Sequence, residues 1–282
     1  VLQINLTAEA LDELLAQAER VGWPALEFAC RMLGGAADRR RERSLERRLR
    51  EARFRHNHTL ETFNWEFNAA TIHREHIEEL ATCAFVHRHD NLILVGQSGL
   101  GKSHLVEGLG RVACVQGFHV RYTTSARLLR ELRAALADQT LEAQLRYWTK
   151  MDLLIIDEFG FDRLERQSCA EAPQLFYKVI EGRYGQRSTV LVTNVDFEAW
   201  GEYLGDPPLA MAFLDRLVDG AIILKLRGRS YRAARARPLG EEGNEGKKDK
   251  EGGQEPEKKD QESRQGPEKK KGQEGRQGPE KR

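Results

Sequence analysis

Apolar positions recur along this chain with two different periods, and the change between them divides it. From about Leu6 to Phe54 the spacing is helical. Thr7 is placed to cap a first helix whose Leu11, Leu14, Leu15 and Ala18 share a face. Trp23-Pro24 opens a second helix, carrying Leu26, Phe28, Met32 and Leu33 toward a break at Gly34-Gly35. A third stretch, Arg39 to Arg55, keeps only Leu45 and Leu49 as a thin apolar seam, and Glu46–Arg50 and Glu51–Arg55 stand at i,i+4 spacing. Further on, the short runs Asn91–Val95, His119–Thr123, Leu153–Asp157, Thr189–Thr193 and Ala221–Leu226 read as strands with helical patterns between them. Strands alternating with helices predict an α/β fold, a parallel sheet covered on both faces. Beyond Leu239 no large apolar residue occurs; Arg264–Lys270 recurs as Arg276–Arg282, and Glu241–Arg282 is expected to be disordered. The expected organisation is 1–58 helical, 59–89 connector, 90–237 core domain and 238–282 low-complexity tail.

The junction between the first strand and the following helix carries the chemistry. Gly96-Gln97-Ser98-Gly99-Leu100-Gly101-Lys102-Ser103 fits the phosphate-binding pattern G-x-x-x-x-G-K-[ST], and His104 follows it on the helix. Its glycines let backbone N–H groups turn around a phosphate chain, and the helix start adds its dipole. Lys102 is placed for the β- and γ-phosphates, and the Ser103 hydroxyl for Mg²⁺. The run Leu153–Ile156 then ends in Asp157-Glu158. After such a loop, Asp157 is expected beside the Mg²⁺ shell, and Glu158 as the base that activates a water against the γ-phosphate. That pairing predicts a nucleotide hydrolase.

Charge refines this picture. Formal net charge is +1 over 282 residues, yet 32% of them are charged, so polarity is local. Arginine outnumbers glutamate between Arg39 and Arg55, where Arg47, Arg48 and Arg50 are candidates for DNA phosphates. Arg127, Arg130 and Arg133 line one side of a later helix at i,i+3 steps, a pattern that serves a solvated face or a nucleic-acid contact. In the connector Phe63, Trp65 and Phe67 alternate, suited to flanking a nucleotide base or to core packing. His56/His58, His73/His76 and His87/His89 are close pairs without a partner cysteine or carboxylate pattern, so no metal site is expected from them. Cys30, Cys83, Cys114 and Cys169 are scattered without C-x-x-C spacing and are expected to be reduced, mostly packed thiols of a cytosolic protein. Val1–Leu6 lacks signal-peptide character, and no apolar run reaches membrane-spanning length.

Together these motifs resemble the IstB-type helper ATPases of bacterial insertion sequences, relatives of the DnaC helicase loader. The resemblance spans Leu6 to Arg232 and rests on the phosphate loop, Asp152–Glu158, Arg187–Asn194, Trp200-Gly-Glu, Leu214–Leu217, Gly228–Arg232 and the basic stretch Glu46–Phe54. It implies an AAA+ P-loop NTPase with a five-stranded parallel sheet, using ATP and Mg²⁺ in the bacterial cytoplasm. It implies Asn194 as the polar sensor that positions the attacking water, Arg216 as an arginine finger given to a neighbouring subunit, and Arg232 as a second sensor. Taken by itself, Arg216 could equally pair with Asp215 or Asp219. The implied partners are duplex DNA, further copies of the chain assembled with ATP, and an IstA-type transposase. A DnaC-like loader of a replicative helicase is the alternative. A non-hydrolysing switch or DNA scaffold fits less well with retained Glu158 and Arg216.

Overall fold

The first helix begins where the sequence supplies a cap. In a computed structural model, which describes residues 7–160 and 171–235, Thr7 Oγ1 accepts from the Ala10 N–H at 3.4 Å and starts α1 (Ala8–Val21). The chain turns at Gly22, with φ of 72°, and α2 (Ala25–Ala52) then runs for 28 residues. It passes straight through Gly34-Gly35, where the sequence pattern placed a break. Glycine lowers helix propensity by about 1 kcal/mol per residue but does not forbid the conformation. The Glu27–Arg31 pair at 2.8 Å supports the turns before it. Beyond it Leu45 and Leu49 pack on the core, and Ala52 is buried. α2 stops because Arg53 takes a left-handed φ of 55°. That ending removes Arg55 from the helix, so the expected Glu51–Arg55 pairing gives way to an ion pair between Arg55 and Glu158 at 2.8 Å.

After the connector come α3 (Arg74–Ala81), α4 (Ala84–His87), β1 (Leu92–Val95), α5 (Lys102–Val115), β2 (Val120–Thr124), α6 (Ser125–Ala137), α7 (Leu141–Thr149) and β3 (Leu153–Phe159). The chain continues through α8 (Ala172–Glu181), β4 (Ser188–Thr193), a 3₁₀ turn at Phe197–Ala199, α9 (Trp200–Leu204), α10 (Pro207–Val218), β5 (Ile222–Lys225) and α11 (Tyr231–Arg235). The five strands stand in the order β2-β3-β4-β1-β5, every pairing parallel. All five predicted strands are present, with their ends shifted by a residue or two.

Alternation along β1 sends Leu92 and Leu94 to one face and Ile93 and Val95 to the other. The first face is covered by Leu105 and Leu109 of α5 together with Ile77 and Leu80 of α3. The second is covered by Leu128 and Leu132 of α6, Val179 of α8 and Phe213 of α10. Arg183 fastens the edge of this second layer: buried, it donates to the carbonyls of Trp148 at 3.0 Å and Met151 at 2.9 Å and to Thr189 Oγ1 at 3.0 Å. No described helix is long and apolar enough to cross a membrane. The segment from Glu241, expected to be disordered, and Cys169 lie outside the described residues.

Candidate active site

The loop leaving β1 folds through space that side chains cannot enter. Gly99 and Gly101 hold φ of 84° and 86°. A Cβ on Gly101 would come 2.7 Å from Phe63 Cε2, and one on Gly99 would collide with Ser230 Oγ. The Tyr231 N–H donates to Gly99 O at 2.9 Å, so α11 is laid across the loop. Lys102 is buried, and its Nζ donates to the carbonyls of Gly96 at 2.6 Å and Gln97 at 2.8 Å. Burial pulls its pKa below the ordinary lysine value, and Arg232 adds to that; Asp157 pulls the other way. A buried ammonium with a guanidinium near enough to oppose its charge forms a site that an anion would relieve.

Asp157 and Glu158 sit in an irregularity of the sheet. Ile156 pairs with Leu191 and Phe159 with Thr193, so two residues of β3 face a single residue of β4. This is the arrangement of a bulge, which bends a strand and re-aims its side chains. Asp157 is 2% exposed; its Oδ2 accepts from the Tyr122 hydroxyl and its Oδ1 from the Glu158 N–H, both at 2.7 Å. Burial and the adjacent Asp157 carboxylate raise the Tyr122 pKa, so the phenol keeps its proton and donates. Glu158 has a left-handed φ of 60°, a conformation that costs a non-glycine residue about 1–3 kcal/mol and concentrates at functional sites. Its carbonyl accepts from Ser125 Oγ at 3.1 Å, and its Oε1 from Arg55 Nη1.

These groups border a cleft of about 660 Å³. Ser98, Gly99, Leu100, Gly101, Lys102, Ser103 and His104 line one wall, Asp157, Glu158 and Asn194 the floor where strand ends meet, and Arg232 the α11 side. Gly96 and Gln97 contribute through their carbonyls to Lys102 rather than as lining. Phe63, Trp65 and Phe67 also border the cleft, and Phe63 and Trp65 pack on the core as well. For Mg²⁺ the donor set is suitable: the Ser103 hydroxyl and the Asp157 carboxylate are hard oxygens. Sequence reasoning missed Arg55, Tyr122 and Ser125. Tyr122 sits two residues before the end of β2; the β2–β3 register sets it opposite Ile155, two residues before Asp157, which its hydroxyl reaches.

Arg216 is not among the residues that line this cleft. On α10 it donates to Glu181 and to Asp215, each at 2.8 Å, and lies over the Tyr184 ring at 5.0 Å. The other open partner, Asp219, instead accepts from the Tyr184 hydroxyl. Among the basic candidates, Arg47, Arg50, Arg130 and Arg133 are exposed. Arg127 is paired with Glu131 at 2.9 Å. Arg48 is engaged inside the fold, donating to Cys114 O at 2.8 Å and Ser44 Oγ at 2.7 Å. Beside Arg50, at the β2 edge, Arg53, His119, Arg121 and Lys150 surround a second hollow of about 670 Å³, a basic feature that the sequence did not announce.

The family described as IstB-like ATP binding protein matches residues 1–238. A protein of insertion sequence IS21 from Pseudomonas aeruginosa, named for ATP binding, is 36% identical over 230 residues, covering 82% of this chain and 85% of its own length. Its counterpart in insertion sequence IS5376 of Geobacillus stearothermophilus is 34% identical over 231 residues, 82% of this chain and 90% of that one. Among solved structures, DnaI superposes with a TM-score of 0.51 at 19% identity, over 61% of this chain and 92% of the other, a likeness of fold. With a phosphate loop, a paired Asp-Glu and a five-stranded parallel sheet of AAA+ P-loop type, the chain belongs to the IstB-like ATP binding protein family.

Proposed function

We propose that this chain is an ATP-hydrolysing helper of DNA transposition that assembles on duplex DNA in the bacterial cytoplasm and presents that DNA to a partner transposase. The observation that carries the reading is the meeting of Lys102, Ser103, Asp157, Glu158, Asn194 and Arg232 at one cleft while Arg216 stays outside it. Relatives named for insertion sequences, matching over 82% of the chain, favour transposition over helicase loading.

In this reading Lys102 and the loop N–H groups bind the β- and γ-phosphates of ATP. Ser103 Oγ and Asp157 hold Mg²⁺, whose chemistry is to neutralise charge on phosphate oxygens. Asn194 orients the attacking water, and Glu158 takes its proton once Arg55 lets the carboxylate go. Arg232 contacts the γ-phosphate from α11. Arg216, supplied by a neighbouring copy, neutralises charge developing in the transition state. Exposed arginines on α2 and α6 contact DNA phosphates, which positions the duplex without reading its sequence.

Glu158→Gln keeps the shape of the cleft and removes the base. It is expected to bind ATP as the parent does while turnover falls by about 10²-fold or more. Lys102→Ala is expected to weaken ATP binding itself. Nucleotide affinity and phosphate release measured on both variants test this; unchanged turnover in Glu158→Gln rejects the assignment.

A further inference from the structure

A carboxylate and two imidazoles meet at the border of the cleft, which His56 and His58 also line, joined across parts of the chain that no local spacing connects. Glu107, one turn beyond Ser103 on α5, is 0% exposed. His56 and His58, on the segment leaving α2, close over it. His56 Nδ1 is 3.2 Å from Glu107 Oε1, and His58 Nδ1 is 3.5 Å from Oε2. The ligand atoms of all three lie within 4.8 Å of one another. The sequence pattern gave His56 and His58 no carboxylate partner; the fold supplies one from 51 residues away. The His56 backbone N–H donates to Glu107 Oε2 at 3.1 Å. His58 Nδ1, in contrast, is buried and has no hydrogen-bond partner.

The His58 ring is nonetheless held firmly. It stacks on His104 at 4.2 Å and on His56 at 4.7 Å. His104 is fixed in turn by Thr59 O at 2.9 Å and Thr62 Oγ1 at 3.1 Å from its Nε2.

We propose that His56, His58 and Glu107 form a binding site for a tetrahedral transition-metal ion of the zinc type, separate from the Mg²⁺ that accompanies the nucleotide. Nitrogen and carboxylate ligands at about 2.0–2.1 Å from a tetrahedral ion stand roughly 3.4 Å apart. Each histidine–glutamate separation is near that value, 3.2 Å from His56 Nδ1 to Oε1 and 3.5 Å from His58 Nδ1 to Oε2, so each imidazole faces its own oxygen of the shared carboxylate. Two imidazoles and a carboxylate also form a ligand set that takes zinc in preference to magnesium. Arg111 is the nearby charge that opposes a cation. Its Nη2 is committed to His56 O at 2.8 Å and its guanidinium lies over Phe54 at 4.9 Å, where it draws the histidine segment inward. A bound ion would staple the end of the arginine-rich helix to the helix that begins at Lys102.

The test uses the untagged full-length chain, freed of metal by a chelator, in buffer with excess Mg²⁺ and no nucleotide. Co²⁺, titrated as the spectroscopic probe, is expected to bind one ion per chain with the strong visible bands of tetrahedral nitrogen and oxygen coordination, and to be displaced by Zn²⁺. No thiolate charge-transfer band should accompany it. His58→Ala and His56→Ala, at partly exposed positions, are each expected to lower affinity about tenfold or more. Zn²⁺ should raise the unfolding temperature of the parent chain and not of these variants. Glu107→Gln, which keeps size and hydrogen bonding, should behave likewise. A thiolate band, the weak bands of octahedral coordination, equal affinity in the folded His58→Ala variant, or no uptake at micromolar Co²⁺ each overturns the site. The last result would leave Glu107 as a buried carboxylate satisfied by hydrogen bonding from the His56 segment.

Discussion

Glu158 is held at its backbone N–H, its carbonyl and one oxygen of its carboxylate. Its N–H donates to its own neighbour Asp157, its carbonyl accepts from Ser125, and its carboxylate accepts from Arg55. The Arg55 and Glu158 side chains are 56% and 45% exposed, and ion pairs this open add little stability. The consequence is positional: Arg55 occupies the carboxylate proposed to accept a proton from water. Arg55→Ala is expected to raise DNA-free ATP turnover severalfold while leaving ATP affinity nearly unchanged, read by phosphate release and nucleotide titration. An unchanged or slower turnover rejects this restraint. The thiols give a second check at this scale. Burial pushes Cys83 and Cys114 up to about 11, while Cys30 is exposed. Alkylation near neutral pH, mapped by peptide, should mark Cys30 and spare Cys83 and Cys114 until the pH approaches their raised values or the chain unfolds. Residues whose place is set by short-range spacing, Lys102, Ser103 and Asp157, were legible in the sequence as neighbours at one cleft. Tyr122 meets Asp157 across 35 residues, His56 meets Glu107 across 51 and Arg55 meets Glu158 across 103, so only the fold brings those groups together.

At the scale of elements, strands were more legible than helix ends. Buried parallel strands are continuous apolar runs, and Leu92–Val95 or Leu153–Ile156 admits little else. α2 was misread at Gly34-Gly35 because glycine signals a possible break, while continuity there is settled by how the two halves are held. A Cβ on Gly34 would meet nothing within 4 Å, and one on Gly35 would meet only the end of the Arg39 side chain, Nη1 at 3.6 Å and Nη2 at 4.0 Å. Gly34→Ala and Gly35→Ala are therefore each expected to stabilise the chain by roughly 0.5–1 kcal/mol, measured by thermal or denaturant unfolding. A loss of stability would mean that these positions are closely covered. The same helix separates two kinds of arginine. Arg48→Ala removes hydrogen bonds to Cys114 O and Ser44 and should lower stability. Charge reversal at exposed Arg47 and Arg50 should leave stability nearly unchanged, weaken duplex binding at all sequences and flatten its salt dependence. Salt-insensitive binding, or no effect of the double reversal, would remove α2 from the DNA-binding surface.

For the whole molecule the decisive residue is Arg216, because a chain alone does not bring it to its own cleft. It emerges from α10, held by Glu181 and Asp215 and resting on Tyr184. These contacts orient a guanidinium at the surface, where it can reach a neighbouring copy in a head-to-tail arrangement, the kind that closes into rings or continues as filaments. If Arg216 acts there, Arg216→Ala should bind ATP with parental affinity yet hydrolyse it slowly, even at concentrations where the parent chain assembles. Complementation then separates a finger from a merely structural arginine. Glu158→Gln carries an intact Arg216 with a disabled cleft, and Arg216→Ala carries the reverse. Equal mixtures place an intact cleft against an intact Arg216 at about a quarter of random head-to-tail contacts. Turnover of the mixture should therefore exceed that of either variant alone, and it should fall away on dilution as the assembly comes apart. A mixture no more active than its components, or an Arg216→Ala chain with full turnover at every concentration, removes Arg216 from the reaction.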